Sequence, residues 1–269
     1  MLCFYAIVLN SFSALFFIVL NALKAFLEKV FFVMVFLSVV IPAFNKEDSI
    51  SKTLAEVKRS CDSFKVSYEV VIVDDHSTDN TYPEIVKTVK NWLNFRVFKK
   101  VKNGGKGGAL KEGFFKAKGD LVAFIDADLD LPPKQLKVFI DLMNVYNADA
   151  IIGSKRNSLS KVEYSSVRNF LSWGYYKLVR GLFNLRVSDT QVGMKLFKRK
   201  KIEKIISKVN SSGFAFDLEL LARMRKENMN IGESPIIMKH STFGSSVSVL
   251  GIAKMLKETL LVYFTVLRG

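Results

Sequence analysis

From Phe36 onward, runs of β-branched residues alternate with stretches whose apolar positions recur every three or four residues. That alternation predicts crossover units around a largely parallel sheet. The segment "FLSVVIP" reads as the first strand, ended by Pro42. Residues 48–62, "DSISKTLAEVKRSCD", put Ile50, Leu54, Val57 and Cys61 on one helical face behind an Asp48 or Ser49 cap. "YEVVIVDD" is a second buried strand ending in carboxylates, followed by a helix in "NTYPEIVKTVKNWL" and a third strand in "FRVFKK". A helix entered through glycines, "GGALKEGFFKAK", leads to a fourth strand, "DLVAFIDAD"; "PKQLKVFIDLMNVYN" and "ADAIIGS" continue the alternation.

After Ser154 a polar stretch runs to about Ser165, then a long helix, "SVRNFLSWGYYKLVRGLF", and "VSDTQVGMKLFKRK". The last segment, 246–269, places Leu250, Ala253, Leu256, Leu260 and Phe264 on one face, with Lys254, Lys257 and Arg268 beside them. Periodicity allows two outcomes for it, a helix lying in a membrane interface or one packed on its own domain. At the other end, residues 2–23 carry no charge and have the length of a bilayer-spanning helix. A membrane anchor over 1–29 is predicted, and Lys24 and Lys29 place the chain beyond it in the cytoplasm. Translation from Met1 and from Met34 both fit. The segment between, 36–245, is expected to be one α/β domain.

Charge and cysteine content narrow the partners. The 269 residues carry 40 Lys and Arg against 25 Asp and Glu, a formal charge of +15, which calls for an anionic partner or surface. No RNA-binding signature or basic repeat accompanies it, so nucleic acid is not expected. Cys3 and Cys61 lack the spacing of a disulfide framework or zinc site and are expected to be inert.

Against that positive background, acidic residues gather at two strand ends. "FIDADLD" sets Asp126, Asp128 and Asp130 two apart, and "VVIVDDHSTDNT" ends a strand at Asp74 and Asp75. If the fourth strand persists to about Ala127, Asp126 and Asp128 share a face. Open α/β sheets bind ligands beyond the carboxyl ends of their strands, and carboxylates brought together there favour a hard divalent cation such as magnesium or manganese. "NGGKGGALKEG" adds Lys106 in a glycine-rich loop entering a helix, a setting that favours anions.

Taken in order, "VVIPAFN", "VVIVDDHSTDNT", "GKGGALKEG", "DADLD", "SDTQVGMKLF" and "GFAFDLELL" resemble the inverting GT-A-fold glycosyltransferases of family two. Within them the chain is most similar to the dolichyl- and polyprenyl-phosphate glucosyl and mannosyl synthases. The resemblance implies a Rossmann-like, mostly parallel sheet flanked by helices, with an N-terminal transmembrane helix and a C-terminal amphipathic one. It implies that Pro42, Ala43, Phe44, Asn45, Asp74 and Asp75 hold the nucleoside of a UDP- or GDP-hexose, with Lys106 and Asp126 nearby. The family continues "PAYN" with Glu; here Lys46 intervenes, and Glu47 is the available substitute. Asp128 and Asp130 are the implied ligands of Mg2+ or Mn2+. On the acceptor side, Lys155 or Arg156 of "GSKRN", together with Arg168 and Ser172, would meet the lipid phosphate.

A phosphate monoester, with a second pKa of about 6, needs no general base to attack an anomeric carbon. Asp189, Gln191 and Lys195 therefore read as shaping the site. Asp217 and Glu219 read as orienting groups, or as the polar face of a helix that packs through Phe214, Phe216 and Leu218. The expected activity is metal-dependent, inverting hexose transfer to a polyprenyl phosphate on the cytoplasmic membrane face. Two alternatives stand beside it: transfer to a lipid or saccharide hydroxyl, for which Asp217 would serve as base, and a non-catalytic basic binding module. The sequence leaves sugar, nucleotide, lipid length and oligomeric state open.

Overall fold

A computed structural model describes residues 36–267 apart from 163–165, 186, 214 and 239–248, with the backbone alone at 166–172, 249, 250, 252 and 267. The anchor expected at 1–29 and the Met34 start lie outside these residues. The described strands are β1 (Leu37–Ala43), β2 (Tyr68–Asp74), β3 (Phe95–Lys99), β4 (Leu121–Phe124), β5 (Ala150–Ser154), β6 (Lys195–Lys198) and β7 (Ile231–Pro235). They form one sheet in the order β3-β2-β1-β4-β6-β5-β7. All pairings are parallel except those of β6, which runs antiparallel to both β4 and β5.

The helices are α1 (Ile50–Ser63), α2 (Thr81–Val89), α3 (Gly105–Lys116), α4 (Leu136–Val145), α5 (Ser166–Phe183), α6 (Arg199–Ser207), α7 (Ala215–Lys226) and α8 (Val249–Leu267). The strand pleat sorts them into two layers. Leu37, Val39 and Ile41 of β1 pack with Leu54 of α1, Ile85 of α2 and Phe139 of α4. Val40, one residue out of phase, faces the opposite layer with Leu110 of α3, Ile206 of α6, Leu218 of α7 and Val262 of α8. A fully buried sheet needs apolar residues on both faces, which is why β1 and β2 read as continuous hydrophobic runs. Cys61 sits in the first layer, where burial and then the charge of Asp62 push its thiol up to about 12. That keeps it protonated and unreactive, as expected.

Three differences from the sequence-based expectation bear on function. First, β4 stops at Phe124 rather than running on to Ala127, and the chain turns through Leu129 at φ 60. Asp126 and Asp128 therefore approach through a turn and not through the pleat. Second, the chain inserts β6 against β4, bringing the "DTQVGMK" segment across the middle of the sheet, where no strand was expected. Third, helices α6 and α7 and strand β7 complete the fold, and α7 buries its acidic side chains instead of presenting them: Asp217 is 6 % exposed and Glu219 1 %.

Candidate active site

The strand order reverses at β1, with β2 and β3 on one side and β4 on the other, so a crevice opens beyond the carboxyl ends of β1, β2 and β4. A cavity of about 350 Å³ fills it, lined by Pro42, Ala43 and Phe44 from the end of β1, by Asp75 after β2, and by Lys106, Asp126 and Asp128. Asp75 and Asp128, distant in sequence, thus face one space. Asp75 is held there from two sides: its Oδ1 accepts Lys100 Nζ at 2.5 Å and the Gly104 amide at 2.9 Å. Phe44 is 43 % exposed at the mouth.

Other residues expected at this site have structural duties. The Asn45 side chain accepts the Thr78 amide at 3.0 Å, tying the loop after β1 to the loop after β2. Glu47 turns away from the cavity and accepts the Asn80 amide at 2.8 Å ahead of α2. It is Lys46, the departure from the family pattern, that lines the cavity. Asp74 is fully buried and stands outside the lining; its Oδ2 accepts the Ser77 amide at 3.3 Å, and its Oδ1 has no partner among the described residues.

Lys106 enters from the first turn of α3 and pairs with Asp126 Oδ1 at 2.6 Å. Glycines make this approach possible. A side chain on Gly107 would collide with Phe216 at 2.5 Å, and one on Gly193 would meet Asp126 Oδ2 at 2.0 Å. Burial pushes the Asp126 carboxyl up, but the charge and hydrogen bond of Lys106, with Lys195 and Lys46 beyond, outweigh it and hold it below the usual carboxylate range. For Lys106, burial opposes the ammonium, and Asp126, Asp217 and Asp128 overcome that and raise it. Asp128 goes the other way: burial and then the charge of Asp126 push it up. The lysines thus favour Asp126: Lys106 bonds it directly, whereas the charges of Lys46 and Lys106 do not offset what burial and Asp126 do to Asp128.

A second hollow of about 160 Å³ shares Asp126 and Asp128 with the first and adds Asp130, Lys155, Gln191 and Gly193. A third, of about 60 Å³, shares Lys155 and Gln191 with the second and adds Arg156, Tyr176 and Asp189. Lys155 Nζ lies 3.6 Å from Asp189 Oδ2, and the Arg156 guanidinium stacks 4.9 Å from the centre of the Tyr176 ring. Three spaces therefore run in series from the acidic end of β2 to a basic end after β5. Among the described residues, no three His, Cys, Asp or Glu side chains form a group able to hold a metal by themselves. The side chains of Arg168 and Ser172 lie outside the described set; their backbone is in the first half of α5.

Lys195 and Asp217 line none of the three spaces. Lys195, 1 % exposed, bonds Asp217 Oδ1 at 2.8 Å and the Val192 carbonyl at 2.5 Å, fixing the 189–194 segment beneath the second hollow. Glu219 accepts the Ser211 amide at 2.8 Å and Arg223 Nη2 at 2.7 Å. Sequence reasoning missed Lys100, Lys46, Gly193 and Tyr176. Lys100 closes the "FRVFKK" segment with nothing local to mark it, and Gly193, a position inside the "SDTQVGMKLF" motif, has no local sign that it abuts Asp126.

Comparison with known proteins identifies the family. Residues 38–206 match the model of glycosyl transferase family 2. The chain belongs to that family. As a family-2 glycosyltransferase it is 32 % identical over 256 residues to the dolichyl-phosphate beta-glucosyltransferase of Saccharomyces cerevisiae, covering 87 % of this chain and 76 % of that one. It is 35 % identical over 199 residues to the Homo sapiens enzyme of the same name, covering 69 % and 61 %. Its GT-A fold also resembles the glucosyl-3-phosphoglycerate synthase of Mycobacterium tuberculosis solved with Mn2+, UDP-glucose and phosphoglyceric acid. There the TM-score is 0.64 at 18 % identity, over 86 % of this chain and 79 % of that one. The family match spans β1 to α6 and ends short of α7 and α8.

Proposed function

We propose that this glycosyltransferase moves a hexose from a nucleotide sugar to a polyprenyl phosphate at a membrane surface, inverting the anomeric configuration. The observation that carries the proposal is the series of three connected spaces, acidic and aromatic at one end and basic at the other, with Asp126 and Asp128 where the first two join. The names of the relatives make glucose the leading sugar and dolichyl phosphate the leading acceptor. The Mycobacterium tuberculosis complex makes UDP the leading nucleotide.

In this reading the exposed Phe44 ring stacks the base, and Asp75, fixed by Lys100 and Gly104, receives nucleoside donors. Asp126 and Asp128 fit a divalent ion of the kind held by one or two carboxylates plus phosphate oxygens, and Asp130 is near enough to join them. Bound there, Mg2+ or Mn2+ supplies Lewis-acid neutralisation of the departing diphosphate. Lys106 adds a fixed cation beside Asp126. Lys155 and Arg156 receive the acceptor phosphate in the third space, the guanidinium offering a two-pronged contact. The acceptor, dianionic near neutral pH, attacks without a base.

The buried pairing of Asp217 with Lys195 argues against a hydroxyl-acceptor mechanism that uses Asp217 as base. Asp217→Asn would leave the Lys195 ammonium unpaired, so its loss of activity would not mark proton abstraction. The anchor at 1–29 and helix α8 are proposed to hold the domain at the lipid surface, with the catalytic spaces on the cytoplasmic side. A panel of labelled UDP- and GDP-hexoses, given polyprenyl phosphate and Mg2+ or Mn2+, tests the proposal through label that extracts into organic solvent. Asp128→Ala should fold normally and lose transfer by about 100-fold or more. Undiminished transfer by that variant, or transfer that ignores metal chelation, would refute it.

A further inference from the structure

Residues 210–213, with Ala215 and Phe216 at the start of α7, form a floor on which the glycine-rich start of α3 rests, and carboxylates from two helices hold that floor. Glu219, inside α7, accepts the Asn210 and Ser211 amides from one end. The other carboxylate comes from α8, where Glu258 Oε2 accepts the amide of Ala215, the first residue of α7, at 3.2 Å. Gly213 lies against the same group, since a side chain there would meet Glu258 Oε1 at 3.2 Å. Between the two anchors, the Ser212 carbonyl accepts the Gly107 amide at 2.8 Å, and Phe216 packs on Gly107 so closely that no side chain fits. Gly105, at φ +74, also abuts the Ser212 carbonyl. Lys106 stands between these two glycines and reaches Asp126 at 2.6 Å.

We propose that Glu258 is a positioning residue for the nucleotide-sugar site, acting from α8 through residues 210–213 and the start of α7 on Lys106 and Asp126. The inference rests on the nucleotide-sugar reading above. Its physical basis is local. The first amides of a helix have no intrahelical partner, and a carboxylate placed there satisfies one and complements the helix dipole. Without it, the Ala215 amide loses its partner and Gly213 the group it lies against, and among these two carboxylates only Glu219 still holds the segment. The glycine contacts tie the start of α3 to that segment, so the Lys106 ammonium shifts relative to Asp126 when the segment moves.

Titration of UDP-glucose and UDP with Mn2+, alongside transfer kinetics, tests this in the full-length protein. Glu258→Ala should raise KM and Kd for UDP-glucose by about tenfold while leaving KM for polyprenyl phosphate within about twofold. Glu258→Gln keeps an oxygen for the Ala215 amide and should return the UDP-glucose KM to within about threefold of the original. A lowered unfolding midpoint with no selective change in UDP-glucose KM would mean a structural role only and overturn the inference. Should Glu258→Ala fail to fold, Gly213→Ala pushes on the same carboxylate and should reproduce the donor-side defect; an unaltered UDP-glucose KM in that variant also overturns it. Original protein that binds no UDP or GDP sugar sinks the nucleotide-sugar reading and this inference with it. Original protein that binds while Glu258→Ala binds equally well sinks the inference alone.

Discussion

Glu219 is 1 % exposed, and its carboxylate receives the Asn210 and Ser211 amides and the Arg223 guanidinium. Burial pushes its carboxyl up, but those hydrogen bonds outweigh burial and hold it below the usual glutamate range. A depressed carboxylate contributes stability above its unfolded pKa and loses it as pH falls through the folded one. Glu219→Gln should therefore cost about 2–3 kcal/mol at pH 7. The gap to the original protein should hold down to about pH 4.3 and shrink below it, as read from urea unfolding at several pH values. A gap that widens with acid would contradict the assignment. Asp126 differs in kind, because its partner Lys106 is 40 % exposed at the side chain and can respond to an arriving anion. Glu219 is thus closed off among buried donors, whereas Asp126 keeps a partly exposed side chain and a partly exposed partner, and the number and burial of the donors distinguish the two.

At the scale of elements, the start of α3 and the start of α7 work as one unit. Gly107 is the point of contact, with Phe216 where its side chain would be. Gly107→Ala should cost about 1–3 kcal/mol through overpacking. Because relieving the clash lifts the start of α3, the variant should also lose affinity for nucleotide sugar more than for acceptor, as measured by separate KM values. Equal loss on both sides, or none, would show that the contact does not govern Lys106. The β6 strand has a similar dual role. Its antiparallel insertion beside β4 sets Gly193 against the Asp126 carboxylate and buries Lys195 under the 189–194 segment.

At the scale of the whole molecule, α8 is packed and exposed at once. Thr259, Val262 and Val266 are buried against the domain, whereas Leu256, Leu260, Leu261 and Phe264 face outward. Among the described residues no helix is long and apolar enough to cross a membrane. The two outcomes left open by periodicity are therefore compatible: one face packs, and the other is available to lipid. With a formal charge of +15, the protein should favour an anionic surface. A polarity-sensitive dye at Leu260→Cys, in a Cys3→Ser background of the full-length chain in anionic vesicles, should shift to the blue and be quenched by spin-labelled lipid. A dye at exposed Lys90→Cys, near the end of α2, should do neither. Matching, unquenched spectra at the two positions would place α8 in water. Cys61 does not interfere, being buried and protonated.

The hydrophobic pattern alone determined β1 to β5, α1 to α5 and α8 to within a few residues, because a sheet buried on both faces and amphipathic helices leave strong periodic traces. The sequence also determined the family, since motifs at strand ends stay legible when chain segments are short. Tertiary structure decided what had no local signal. β6 has four residues with lysine at both ends and is held by its neighbours rather than by propensity. The partners of Asp75, Asp126 and Glu219 come largely from other strands, helices and loops, so composition could mark these residues as acidic but could not say which were already neutralised. Which lysines were solvated and which were built into the site obeyed the same rule. A charge acquires its role from what is packed around it, and that is settled only when the chain closes on itself.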